Sequence, residues 1–252
     1  MTTDKVSGSL VCVGIGMKLG AHISPISRSY VENADVVFMG VSSGLVELWI
    51  QEMNKDVRSL QPFYKEGKSR LTTYKEMVEA MLSEVRKGKS VCGAFYGHPG
   101  VFAWAPHKAI EQARKEGYPA HMEPGISAED CLYADLGIDP GTYGCQHYEA
   151  TQLILYNKVI DVTSYLIVWQ IGVVGDLSLK RFSTDENNLK HFVEVLSAYY
   201  EPTQEVTIYR AAVGPTDSYR ALKVSLIEMM RIDLTMEDTL VVPPAEAVQR
   251  RK

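Results

Sequence analysis

Between Ser9 and Gly117 the chain alternates two kinds of segment, and that alternation restricts its fold more than any other feature. "SLVCVGIG", "DVVFMG" and "SVCGAFYG" are short apolar runs that end in glycine, as buried strands do. Between and after them lie "SRSYVENA", "GLVELWIQEM", "TTYKEMVEAMLSEVRKGK" and "HKAIEQARKEG", which carry helical periodicity. In the third of these, Met77, Met81 and Val85, with Val78 and Leu82, form one apolar stripe. Strands separated by helices lie parallel, with both faces of the sheet covered.

The pattern changes after "PAHMEPGISAEDCLYADLG", where a Pro-Gly break precedes Ser127 and a helix with Glu129 and Asp130 in its first turn. A domain junction is expected near Glu123, giving an N-terminal domain of residues 1–122 and a C-terminal domain of 123–252. At 252 residues the chain is long enough for two such domains. Beyond the junction, "TSYLIVWQIGVV", "EPTQEVTIYRAAV" and "DTLVVPP" are expected strands, and "HYEATQLILYN" and "NNLKHFVEVLSAYY" expected helices. Their irregular spacing predicts a mixed sheet, so the fold class is α/β in two domains.

Composition removes several functions. A net charge of −5 does not suit a nucleic-acid binder, and the one basic cluster, the tail "QRRK", reads as a frayed end. "MTTDKVSGSL" has no signal-peptide core, and "YLIVWQIGVVG" is shorter than the ~20 apolar residues that span a bilayer. No membrane contact and a cytoplasmic location are expected. Cys12, Cys92, Cys131 and Cys145 show no C-x-x-C spacing and are expected as buried thiols. Six histidines form no H-E-x-x-H pair, so no metal is expected.

Two glycine loops remain. "VGIGMKLG" has Leu19 at the third glycine position of a dinucleotide fingerprint, and no G-K-[ST] follows, which disfavours hydride and phosphoryl transfer alike. In "AFYGHPGVFAWAPH", Gly97, Pro99 and Gly100 lead the backbone out of a strand at the carboxyl edge, where α/β sheets bind ligands. Val101, Phe102 and Trp104 can wall a pocket there, with Tyr96 and His98 as polar handles.

"VGIG", "YGHPGVF", "EPGISAEDCL", "WQIG", "IYRAA" and "TLVVPP", in this order, resemble the tetrapyrrole methylase superfamily. That resemblance implies two α/β domains with S-adenosylmethionine in the cleft between them and S-adenosylhomocysteine as product. The chain departs from the porphyrin-precursor branch: the first loop lacks Pro-Gly-Asp, and the second reads Gly-His-Pro in place of Gly-Asp-Pro. "FYKEGKSRLTTY", "FYGHPGVFAWAPH", "EPGISAEDCLYADLGIDPG" and "QHYEATQ" are closer to the borosin family, whose members N-methylate backbone amides of a precursor peptide. After "TLVVPP" only "AEAVQRRK" follows, so the resemblance is to split borosins, whose peptide is a separate chain. It further implies a homodimer that binds two precursor chains, a 2:2 complex.

A peptide nitrogen is a poor nucleophile because its lone pair is delocalised into the carbonyl. Methylating it calls for a base, and for donors to the charge that grows on the carbonyl oxygen. Tyrosine beside arginine suits this, since a guanidinium favours phenolate. "PFYKEGKSRLTTYKE" supplies Tyr64, Arg70 and Tyr74, on which the resemblance places the base and orienting roles. Thr73 and Glu76 fit a capping box at the helix start; a cap at Ser69 is the rival start and puts Arg70 and Tyr74 on one face. The resemblance also puts Tyr96 between peptide and donor. Around the donor it places Gly14, His98, Val101, Phe102, Ser127 and Ala128 from the first domain. From the second it adds Gln170, Tyr209, Ala211, Ala212, Thr239 and Leu240, several acting through main-chain groups. Two other readings stand beside this: methyl transfer to a tetrapyrrole or other small molecule, and a scaffold that binds without turnover.

Overall fold

A computed structural model of the chain describes residues 8–250, apart from 42, 66 and 178–182; the first residues of "MTTDKVSGSL" and the last two of "QRRK" lie outside the described residues. It divides into two compact units, Met1–Cys131 with Val213–Asp217, and Leu132–Ala212 with Ser218–Lys252. The sequence break at Glu123 falls at the end of a strand, ahead of that division.

The first unit runs β1 (Ser9–Gly14), α1 (Pro25–Asn33), β2 (Val36–Gly40), α2 (Gly44–Gln51), β3 (Val57–Ser59), α3 (Arg70–Arg86), β4 (Ser90–Phe95), α4 (Trp104–Lys115) and β5 (Ala120–Glu123). Its sheet has the order β3-β2-β4-β1-β5, and every pairing is parallel. Strand periodicity of two sorts the core into two layers. Leu10 and Cys12 of β1 join the α3 stripe of Met77, Val78, Met81, Leu82 and Val85 and the α4 residues Ala109 and Ala113. Val11 and Val13 join Val31 of α1 and Val46 and Ile50 of α2 on the other face. The central strands agree with the sequence reading. The edge strands β3 and β5 do not appear in it, because three or four residues, none of them buried, leave no apolar run to read.

α5 (Ala128–Leu136) spans the division between units. The second unit continues with α6 (Pro140–Tyr143), β6 (Cys145–Glu149), α7 (Ala150–Leu155), β7 (Tyr165–Trp169), α8 (Glu186–Ser197), β8 (Glu205–Arg210), β9 (Arg220–Ser225) and β10 (Thr239–Val242). The sheet order is β6-β7-β10-β8-β9; β6 pairs parallel with β7, and the other pairings are antiparallel. One face carries Leu166, Val168, Val206, Ile208 and Leu240 into a core closed by α7 and α8. On the other face, Tyr209 Oη donates to Asp135 of α5 at 2.7 Å, and Tyr133 of α5 shares a 3.0 Å hydrogen bond with His147.

Two expectations are corrected. "HYEATQLILYN" is not one helix: its first residues belong to β6, and Glu149 caps α7 by accepting from the Thr151 and Gln152 N–H groups. Cys131 and Cys145 are only partly buried, while Cys12 and Cys92 are buried, and burial pushes both of those thiols up.

Candidate active site

The aromatic cluster of the first unit depends on where α3 starts. It starts at Arg70 with Ser69 as the N-cap residue, so Thr73 and Glu76 form no capping box. They pin the preceding loop instead. Thr73 Oγ1 donates to the Phe63 carbonyl at 3.3 Å, Lys68 Nζ donates to the same oxygen at 3.0 Å, and Lys68 also pairs with Glu76. The 3₁₀ turn Gln61–Phe63 and this loop deliver Tyr64 to the first turn of α3, where Arg70 and Tyr74 are four residues apart on one face.

The Tyr64 and Tyr74 rings meet edge to face at 6.3 Å, and their phenols are hydrogen-bonded. Tyr74 in turn stacks on Trp104, the first residue of α4, with centroids 6.3 Å apart and planes 24° apart. Arg70 and Tyr96 lie near enough to act electrostatically on Tyr64. Their balance differs from the sequence reading. Burial, together with the Tyr74 and Tyr96 phenols, holds the Tyr64 proton well above the ordinary tyrosine range. The Arg70 guanidinium opposes this and is the smallest of the influences. Tyr64 is therefore a neutral phenol at neutral pH, not a phenolate. The hydrogen bond with Tyr74 is one of the influences that favour this protonated form.

Next to the cluster, the carboxyl edge of the parallel sheet is built from crossing main chains. A Cβ on Gly14 would lie 2.5 Å from the Gly97 carbonyl oxygen and 2.6 Å from the Gly125 Cα. Gly16 and Gly97 form a single bridge, with the Gly97 N–H donating to the Gly16 carbonyl at 2.9 Å. From this crossing the chain exposes Tyr96, which is 63% accessible. His98 to Val101 form a turn, the Gly100 N–H donates to His98 Nδ1 at 2.9 Å, and Phe102 follows with φ of 49°. Across the crossing, Ser127 caps α5 reciprocally: its N–H and Oγ donate to Asp130, each at 2.7 Å, ahead of Ala128.

In the second unit, the expected donor residues gather at one edge of the mixed sheet. Thr239 opens β10 opposite Tyr209 of β8, and Leu240 pairs with Val168 of β7, which ends just before Gln170. Tyr209 and Leu240 are fully buried, so what that edge presents of them is main chain. Gln170 has φ of 60°. It and Phe102 are the non-glycine residues with left-handed backbone among those described, and both belong to the expected donor set. Such strain costs about 1–3 kcal/mol and is retained where a binding edge needs it. In each unit taken by itself, that turn fits main-chain groups held for a small organic ligand.

Several contacts escape sequence reasoning. Trp104 reads there as the wall of a pocket, yet it backs Tyr74. His147 reads as helical, yet it accepts from Trp169 Nε1 at 3.2 Å on a strand. Arg210 and Asp238, a bidentate ion pair, flank "AA" and "TL" directly; their place at the ends of those motifs is the signal that was available.

The family model of the Tetrapyrrole (Corrin/Porphyrin) Methylases matches residues 9–217. A methyltransferase/ribosomally synthesized type I borosin cyclic peptide precursor of Coprinopsis marcescibilis is 44% identical over 86% of this chain and 56% of its own length. The methyltransferase/ribosomally synthesized cyclic peptide omphalotin A precursor of Omphalotus olearius is 41% identical over 86% and 54%. A gymnopeptides precursor of the same kind from Gymnopus fusipes is 38% identical over 97% and 59%. The chain thus spans little more than half the length of these relatives. Among solved structures, uroporphyrin-III-C-methyltransferase from Thermus thermophilus superposes with a TM-score of 0.67 at 18% identity, covering 94% of each chain. A cobalt precorrin-4 methyltransferase gives 0.65 at 17%, covering 93% of this chain and 94% of its own. Both share the fold.

Proposed function

We propose that this chain, which belongs to the tetrapyrrole (corrin/porphyrin) methylases, uses S-adenosylmethionine to methylate backbone amide nitrogens of a ribosomally made precursor peptide. The carrying observation is the Tyr64–Tyr74 phenol pair with Arg70 and Tyr96 beside it. The relatives named as methyltransferase and peptide precursor together support the same acceptor.

The chemistry supplied by S-adenosylmethionine is an electrophilic methyl group on a sulfonium. The chain's own residues make the amide a nucleophile. Tyr64 keeps its proton and is hydrogen-bonded to Tyr74. Tyr74, once its own phenol proton has passed to solvent, takes the proton of the amide N–H as that nitrogen is methylated. Arg70, four residues before Tyr74, supplies positive charge to the carbonyl oxygen as the amide moves toward its imidate form. Tyr96, exposed at the end of β4, orients the acceptor against the donor. Gly14, His98, Val101, Phe102, Ser127 and Ala128 hold the donor from the first unit. Gln170, Tyr209, Ala211, Ala212, Thr239 and Leu240 hold it from the second.

The peptide is expected as a separate chain and the enzyme as a homodimer in a 2:2 complex. Co-expression with a precursor peptide encoded beside it, followed by tandem mass spectrometry, tests the whole reading. The expected result is mass gain in methyl units on main-chain nitrogen. Tyr74→Phe is expected to lower the rate about 100-fold or more while S-adenosylhomocysteine still binds. Methylation confined to side chains or to a corrin precursor would overturn it.

A further inference from the structure

Asp238 is fully buried, yet its carboxylate meets two guanidiniums and a main-chain N–H. Arg210 donates Nε to Oδ1 at 3.0 Å and Nη2 to Oδ2 at 2.9 Å, a fork-to-fork pair. Arg220 Nη1 lies 3.7 Å from Oδ1, and the Thr235 N–H donates to Oδ2 at 2.8 Å. The Asp238 N–H returns to the Thr235 carbonyl at 3.1 Å, so the carboxylate also closes the turn 235–238. Desolvating such a pair is costly, and a packed apolar pair often stabilises a fold as well or better. Stability alone is a poor reason for this arrangement.

Its neighbours supply a better one. Arg210 ends β8 and is followed at once by Ala211 and Ala212. Asp238 is followed at once by Thr239 and Leu240, which open β10. The turn that Asp238 closes packs on the main chain just beyond Gln170, for a Cβ on Gly172 would lie 2.1 Å from the Thr235 carbonyl oxygen. One carboxylate thus ties together every segment of the second unit in the expected donor set.

We propose that Asp238, acting through Arg210, is a positioning residue for the methyl donor, fixing the spacing of the Gln170, Ala211–Ala212 and Thr239 segments. The inference rests on the assignment of the donor to those segments. Arg210 and Asp238 themselves need touch no ligand.

Calorimetric titration with S-adenosylhomocysteine, read beside circular dichroism and thermal unfolding of the protein without ligand, tests it. Asp238→Asn is expected to weaken S-adenosylhomocysteine at least tenfold in a protein that keeps its native spectrum. Arg210→Lys, which retains the charge and loses the fork, is expected to weaken it less. A pair that only stabilises the fold would lower the melting temperature and leave the affinity of the folded protein at the wild-type value, which overturns the inference. Should Asp238→Asn fail to fold, Arg210→Lys decides on the same criterion: weaker binding by the folded variant supports the proposal, and unchanged binding overturns it. Wild-type protein that takes up no S-adenosylhomocysteine overturns the donor reading and this inference with it. Wild-type binding with unchanged variants overturns this inference alone.

Discussion

The two units shape their expected donor edges by opposite means. In the first, Gly14, Gly97 and Gly125 bring main chains together with no side chain between them. In the second, a buried carboxylate and a guanidinium brace the strand ends, and Gln170 takes a left-handed turn without being glycine. Contact between backbones has no compliant part, whereas an ion pair can shift, lengthen or exchange a partner. The first edge should therefore fail abruptly on substitution and the second by degrees.

Gly14→Ala tests the abrupt side and carries the largest expected effect. Its methyl group would sit 2.5 Å from a carbonyl oxygen and 2.6 Å from an α-carbon, neither of which is the end of a flexible side chain. A loss of about 4 kcal/mol or more is expected, in the range that marks severe core clashes, and it reads out as loss of soluble protein or a collapsed melting temperature. Gly20→Ala is the matched control. It has nothing within 4 Å, and its φ of 71° costs an alanine only about 1–2 kcal/mol. Equal losses at both positions would remove the crossing as the explanation.

A second test asks whether buried charge affects the donor wherever it occurs. The first unit has its own hub, Glu84, whose side chain is only 5% accessible. Lys87 and Lys89 donate to it at 2.6 and 2.5 Å, and Arg58 lies 3.3 Å away. Glu84 sits near the end of α3, just before β4 begins, at the edge of the sheet opposite Gly97. The two lysines, ahead of Arg58, hold its carboxyl down at about 2. The folded value lies below the unfolded one, so the stabilisation is fully present above pH 4.5 and is lost as pH falls towards about 2. Glu84→Gln is expected to cost about 2 kcal/mol at neutral pH and to flatten the acid limb of a melting-temperature profile. Its affinity for S-adenosylhomocysteine should equal that of the wild type. If Glu84→Gln weakened that affinity as Asp238→Asn is expected to, the contrast between a bracing pair and a stabilising one would be lost.

The sequence exposes these features unequally, for physical reasons. Strands buried on both faces must be apolar throughout, so β1, β2 and β4 announce themselves, as does the stripe of α3. β3, β5 and β9 lie at sheet edges, where none of their residues is buried and the pattern fades. In the candidate site, the neighbourhood of Tyr64, Tyr74, Arg70 and Tyr96 is readable because motif order carries it. The protonation of Tyr64 is not. It depends on burial and on two neighbouring phenols outweighing one guanidinium, a balance that residue types alone do not weigh. Residue types allow two caps for the start of α3, and tertiary contacts select Ser69 by employing Thr73 and Glu76 against the preceding loop.

The smallest expected effect concerns Trp104, which lies between the two extremes because it is neither backbone nor charge. Its indole stacks on Tyr74 while remaining 37% accessible, so it restrains the phenol on one side only. An aromatic pair contributes about 0.5–1.5 kcal/mol beyond its buried area, equivalent to roughly a 2- to 12-fold change in rate if it is spent on orienting the proton acceptor. Trp104→Ala is accordingly expected to lower kcat within that range and to leave S-adenosylhomocysteine affinity unchanged. Trp104→Phe keeps a ring to stack and should recover most of the loss. A Phe variant as slow as the Ala variant would mean that the indole acts through its edge or its N–H, and that stacking does not hold Tyr74 in place.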